Sequence, residues 1–128
     1  DTVRAFCEAK IMLNTLNRSE IRGTNMRSFE ACSAGAFQIV DLRPGLVDLF
    51  EIGEEVAIFT NLADLRAKLA DCRDAPEAQD RIAQAGHARA RPDHTYRVRL
   101  GRLLDVVAGR SEGYPEPAPA WRAPGGGL

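Results

Sequence analysis

Residues 22–35, read as R-G-T-N-M-R-S-F-E-A-C-S-A-G, hold the side chains best spaced for chemistry in this chain of 128 residues. A polar loop carrying Gly23 runs straight into a helical pattern, and one carboxylate, Glu30, falls about two turns inside it. The first four N–H groups of a helix have no partner within it, and the dipole is positive there, so a helix start favours anions. A phosphate on the backbone of Gly23, Thr24, Asn25 and Met26 would leave Glu30 roughly a nucleotide's width along the helix. There it would accept hydrogen bonds from sugar hydroxyls. Arg22 and Arg27 bracket Gly23–Met26 and would place cations beside such a phosphate. A plainer alternative stays open: a loop-to-helix junction with Thr24 as N-cap and a surface pair of Arg27 with Glu30, worth about 0.2–0.5 kcal/mol.

Other chemistry is thinly represented. Asp41 and Arg43 sit on a neighbouring turn, where they would hydrogen-bond hydroxyls of a ligand or simply pair with each other. His87 and His94, the only histidines, are seven residues apart across Pro92, with no carboxylate or cysteine at ligand spacing, so no metal site is expected. His94 is expected to order the turn into the last helix. Neither G-x-G-x-x-G nor G-x-x-x-x-G-K-[ST] occurs, and no serine or cysteine lies in a nucleophile-elbow pattern. The arginines at 81, 89, 91, 97, 99 and 102 alternate with acidic and apolar residues, as a solvated face does.

The elements that must position the 22–35 segment follow from periodicity. Residues 2–9 read as the end of a helix, and 10–14 as a short buried strand. A helix over 25–34 carries Met26 and Phe29 on one side and small residues for close packing, with Gly35 supplying a left-handed cap. Residues 37–40 form the next strand, 41–45 a turn, and Leu46, Leu49 and Phe50 mark a short helix. A third strand covers 56–59. Asn61 then caps a helix whose Leu62, Leu65, Leu69 and Cys72 make an apolar stripe. Asp74 and Pro76 open a further helix that Pro92 stops near Ala90. Asp93 would cap a last helix with Tyr96, Leu100, Leu103, Leu104 and Val107 on one face.

Apolar strands alternating with helices predict an α/β fold: a Rossmann-like parallel sheet with flanking helices, followed by C-terminal helices. Ligands of such sheets lie outside the carboxyl ends of the strands, the edge to which residues 14–26, 41–45 and 60–61 belong. The 22–35 segment is therefore in the right place for a ligand. Residues 109–128 are rich in proline and glycine and read as a disordered tail in which Trp121 is the only large apolar group.

Composition narrows the partners. A formal charge of −1 gives no electrostatic case for nucleic acid, and no apolar run is long enough to span a bilayer. Cys7, Cys32 and Cys72 are odd in number and widely separated, so they read as free, buried thiols of a reducing, cytoplasmic compartment.

Three runs together resemble a known family: R-G-T-N-M-R-S-F-E-A, A-G-A-F-Q-I-V-D-L-R-P-G-L-V-D-L-F and E-I-G-E-E-V, followed by the late G-H-A-R-A-R-P-D-H-T-Y-R-V-R-L. They are similar to the C-terminal domain of GT-B glycosyltransferases, nearest the spore-maturation-protein-like branch, over roughly residues 10–104. The resemblance implies that residues 1–108 are a nucleotide-sugar-binding domain lacking an N-terminal partner domain of the same protein. It implies a nucleotide-diphosphate sugar as donor, an acceptor of unspecified kind and no further cofactor. In related retaining enzymes two glutamates flank seven residues, the second binding ribose while helix-start amides hold the diphosphate. Glu30 matches the second glutamate, and Gly23, Thr24, Asn25 and Met26 fall where the amides belong. Arg22 stands in place of the first glutamate, which keeps a non-catalytic binding or assembly module in view.

Overall fold

The computed structural model describes residues 2–17, 19 and 21–111. Its organising element is a strand, β2 (Gln38–Asp41), in which Gln38, Ile39 and Val40 are all buried. A strand buried on both faces must lie inside a sheet covered by helices, and β2 is the middle of three parallel strands, flanked by β1 (Met12–Asn14) and β3 (Ala57–Phe59). Register pairs Asn14 with Val40 and Ile39 with Ala57. Because strand side chains alternate between faces, two cores result. Val40 and Ile58 join Leu16, Cys32, Leu46, Phe50, Val56 and Ala90 on one side; Ile39, Ala57 and Phe59 join Phe37, Leu65 and Ala83 on the other.

Helix α1 (Thr2–Glu8) precedes β1, and α2 (Met26–Ser33) joins β1 to β2. The end of α2 is a Schellman motif: Ala36 N–H reaches the Ala31 carbonyl at 2.9 Å, Gly35 N–H reaches Cys32 at 2.9 Å, and Gly35 has φ +74°. The strands are one to two residues shorter than the sequence suggests, or shifted by one. The helix expected at Leu46, Leu49 and Phe50 is a single 3₁₀ turn, Pro44–Leu46, followed by turns. Helices α3 (Leu62–Asp74), α4 (Pro76–Asp93) and α5 (Tyr96–Val107) complete the described chain. Asn61 caps α3 as expected, accepting from Asp64 N–H at 2.9 Å.

Several expectations need correction. Pro92 does not stop α4, which continues to Asp93. Pro92 lies in the last turn, and His94 N–H still reaches the Ala90 carbonyl at 3.0 Å. Asp93 does not cap α5; Thr95 does, while Asp93 pairs with Arg89 at 2.9 Å and Arg102 at 3.6 Å. The apolar stripe of α5 does not enter the core, since Tyr96, Leu100, Leu103, Leu104 and Val107 are all exposed, as is Leu62 on α3. Of the thiols only Cys32 is buried; Cys7 is exposed and Cys72 half-buried. Among the described residues no helix is long and apolar enough to cross a membrane. The expected tail lies outside the described residues from position 112 onward.

Helix α4 approaches the sheet at Gly86, where a Cβ would collide with the Glu55 backbone carbonyl and stand 3.1 Å from Cys32 Sγ. Gly86→Ala gains about 1 kcal/mol of helix propensity but overpacks against backbone, which costs about 1–3 kcal/mol. A net loss of up to about 2 kcal/mol is expected by urea denaturation. An unchanged midpoint would show that α4 shifts freely.

Candidate functional site

The loop into α2 is held by a buried polar network rather than by a helix cap. Asn14, at the carboxyl end of β1, is 1% exposed and forms a reciprocal amide pair with Asn25, each Nδ2 donating to the other's Oδ1 at 3.1 Å. Asn14 Nδ2 also donates to Ser28 Oγ at 2.9 Å, and Thr24 Oγ1 lies 2.6 Å from the same hydroxyl. Gln38 on β2 donates to the Ser28 carbonyl at 2.8 Å and to Cys32 Sγ at 2.9 Å. Strand, loop and helix thus share one set of hydrogen bonds. Upstream, Gly45 N–H donates to the Arg22 carbonyl at 2.7 Å, and a Cβ at Gly45 would stand 2.5 Å from that oxygen.

This network decides the state of the helix start. Asn25, not Thr24, is the N-cap residue, with φ −85° and ψ 170°, and its side chain makes no capping bond because it is engaged with Asn14. Asparagine at this position ordinarily accepts from the second or third amide of the helix. With the carboxamide turned away, the Asn25 side chain does not cap the start of α2; Ser28 N–H reaches the Asn25 backbone carbonyl at 3.3 Å, and the positive dipole end remains. An open groove of about 370 Å³ lies beside it, lined by Thr15, Asn17, Asn25, Met26, Arg27 and Glu30.

A second, smaller pocket of about 190 Å³ shares Met26 and Glu30 and is closed by Thr24, Phe29, His94, Tyr96 and Arg99. His94 follows α4 and is 7% exposed, in contact with the rings of Phe29 and Phe50 at 5.0 Å centroid separations. Its Nε2 lies 2.9 Å from the Leu49 carbonyl oxygen, which can only accept, so Nε2 carries the proton. Nδ1 is then a bare acceptor, buried and without a partner among the described residues. Burial holds His94 below its ordinary pKa. The Leu49 bond opposes this shift, the cations Arg99 and Arg89 reinforce it, and Asp93 opposes it weakly. Arg99 lies with its guanidinium carbon 4.6 Å from the Phe29 ring centroid, and its Nη1 is also buried without a partner.

Of the residues singled out from the sequence, Asn25, Met26, Arg27 and Glu30 line the larger groove, and Thr24 lines the smaller. Arg22 and Gly23 are exposed on the loop but do not line either. Asp41 and Arg43 do not line them either. They pair with each other at 2.9 Å, and Arg43 also donates to the Leu42 carbonyl. Asn14, Ser28 and Gln38 were not legible as site residues, because only the parallel register brings them together. Among the described residues no three histidine, cysteine or carboxylate side chains are grouped to hold a metal ion.

A three-stranded parallel sheet with flanking helices, and a helix start opening at its carboxyl edge, defines a Rossmann-like half. The sequence profile of the family described as glycosyl transferase-like matches residues 1–105, and the chain belongs to that family. Comparison with curated proteins and with solved structures finds no match.

Replacing Asn14 with alanine would leave the Asn25 carboxamide unpaired, and an unmade buried hydrogen bond costs about 1–3 kcal/mol. Asn14→Ala should lose that much in urea denaturation; a loss below 0.5 kcal/mol (about the surface-substitution range) would mean the network is dispensable. A second expectation concerns acid. The folded pKa of His94 is lowered from the 6.5 of the free side chain, so the unfolded chain takes up this proton first. Its contribution to stability is complete above about pH 6.5 and is lost as pH falls toward the folded pKa. The difference in stability between wild type and His94→Gln should shrink over that window, and a difference flat from pH 7.5 to 5 would contradict it.

Proposed function

We propose that this chain is the donor-binding portion of a glycosyltransferase of the spore-maturation-protein-like branch, with residues 1–108 as its nucleotide-sugar-binding domain. In this reading the start of α2 holds the diphosphate of a nucleotide-diphosphate sugar, Glu30 accepts from ribose hydroxyls, and Arg27 and Arg22 offset charge on the leaving diphosphate. The supporting observation is the N-cap of α2: Asn25 is turned onto Asn14, so the helix start is left for an anion, beside the groove that Arg27 and Glu30 line. Fixed amides and cations act most strongly where charge develops during departure of the diphosphate, because they need no reorganisation then. Contacts to the acceptor and the remainder of the cleft would come from a further domain of the same protein.

One feature favours a second reading. Arg22 stands eight residues before Glu30, where related retaining enzymes place a glutamate, and a module that binds a nucleotide without turning it over would tolerate that change.

Charge-assisted hydrogen bonds contribute about 1.5–3 kcal/mol, so Glu30→Ala should weaken nucleoside-diphosphate binding about 10- to 100-fold in calorimetric titration. Glu30 is exposed, so the variant should melt like the wild type. Arg27→Ala should weaken binding less, unless its guanidinium sits directly on phosphate. Equal affinity of wild type and Glu30→Ala would remove Glu30 from the site. Binding without turnover of any nucleotide sugar by the complete protein would favour the second reading.

A further inference from the structure

The smaller pocket between α2 and α5 is lined by two residues that neither the resemblance nor the groove accounts for, each holding a buried polar atom with no partner among the described residues. Buried polar groups in folded proteins nearly always have partners, so two orphans on residues of one pocket call for a ligand that supplies the missing halves. The types are informative. His94 Nδ1 is an acceptor because Nε2 spends its proton on Leu49, and Arg99 Nη1 can only donate. A hydroxyl both donates and accepts, so vicinal hydroxyls satisfy the two together. Glu30 accepts from another, and Phe29 offers an apolar ring beside them. A phosphate fits worse, since a neutral His94 offers it no proton and Glu30 repels it. The volume of about 190 Å³ is about half that of the neighbouring groove, which suits one sugar ring better than a whole nucleoside.

We propose that this pocket is a ring-binding compartment of the donor site, in which His94 Nδ1 accepts from and Arg99 Nη1 donates to neighbouring hydroxyls of one sugar ring. The proposal rests on the nucleotide-sugar reading above. The Phe29 ring holds the guanidinium over its face at 4.6 Å, and the Leu49 carbonyl fixes the imidazole tautomer, so both groups are placed before the ring arrives. Two rings share this chemistry: the ribose of the nucleotide and the sugar being transferred.

The test uses the protein with UDP, GDP, ADP, CDP and dTDP, followed by the 2′,3′-dideoxy form and a sugar ester of the tightest binder. His94→Gln keeps an amide near Nε2 for Leu49 but removes the Nδ1 acceptor. His94→Asn restores an amide oxygen near Nδ1 while losing the Leu49 bond. Arg99→Met keeps the stem over Phe29 without the donors. About tenfold weaker binding is expected for His94→Gln and for Arg99→Met, with partial recovery in His94→Asn. A loss seen with the ribonucleotide and absent with its dideoxy form assigns the pocket to ribose. A loss seen only with the sugar ester assigns it to the transferred sugar. Should His94→Gln not fold, Arg99→Met decides alone. Nucleoside-diphosphate binding and sugar-ester binding both unchanged in Arg99→Met and in folded His94→Gln would overturn the compartment while leaving the donor-site reading intact. No binding of any of the five nucleotides to the wild type would overturn both.

Discussion

The site depends on one hydrogen-bonded pair, the reciprocal contact of the Asn14 and Asn25 carboxamides. A buried amide at the end of a strand must find partners, since leaving it unpaired costs more than any single surface interaction returns. Asn14 finds them in the loop ahead of α2 and in Ser28 on its first turn. The same contact that satisfies the strand removes the natural cap from the helix. Satisfaction of the strand and the missing side-chain cap therefore come from a single arrangement, with Gln38 tying it to the middle strand from the other side. One polar atom of this network, Gln38 Oε1, has no partner among the described residues.

Much of the fold could be read from the chain, and the failures share a cause. Periodicity gave the helices and the three strands, while Asn61 and Gly35 behave as their positions suggest. Pattern alone misjudged α5, because an apolar stripe shows that a face wants cover and not that this chain provides it. Pro92 misled for a related reason: local preference ends a helix there, yet the ring of His94 is anchored to Leu49 and its amide completes the final turn. Asp93, read as a cap, is drawn instead to Arg89 one turn back on its own helix and to Arg102, which the tertiary fold brings near.

The site was legible in part for the same reason. Asn25, Met26, Arg27 and Glu30 are consecutive or one helical turn apart, so the sequence places them together without help. Asn14, Ser28 and Gln38 meet only through the register of β1 with β2, and His94 and Arg99 reach Phe29 only through the return of α4 and α5. Asp41 and Arg43 were adjacent enough to be noticed, and their adjacency is what lets them neutralise each other. Local spacing reveals groups that share an element; it is silent about groups that share a cavity.

The burial of Cys32 has a practical consequence. Removal from water pushes its thiol up to about 12; the Gln38 hydrogen bond opposes the shift, and Glu55 adds to it. Only a thiolate reacts readily with alkylating reagents, so at neutral pH this sulfur is silent while the chain is closed, unlike the exposed Cys7. It sits where α2, β2 and α4 meet, beside Gln38 Nε2, the His87-bound carbonyl and Gly86. The molecule thus carries its own reporter of opening: the rate at which Cys32 becomes labelled measures how often α4 parts from α2.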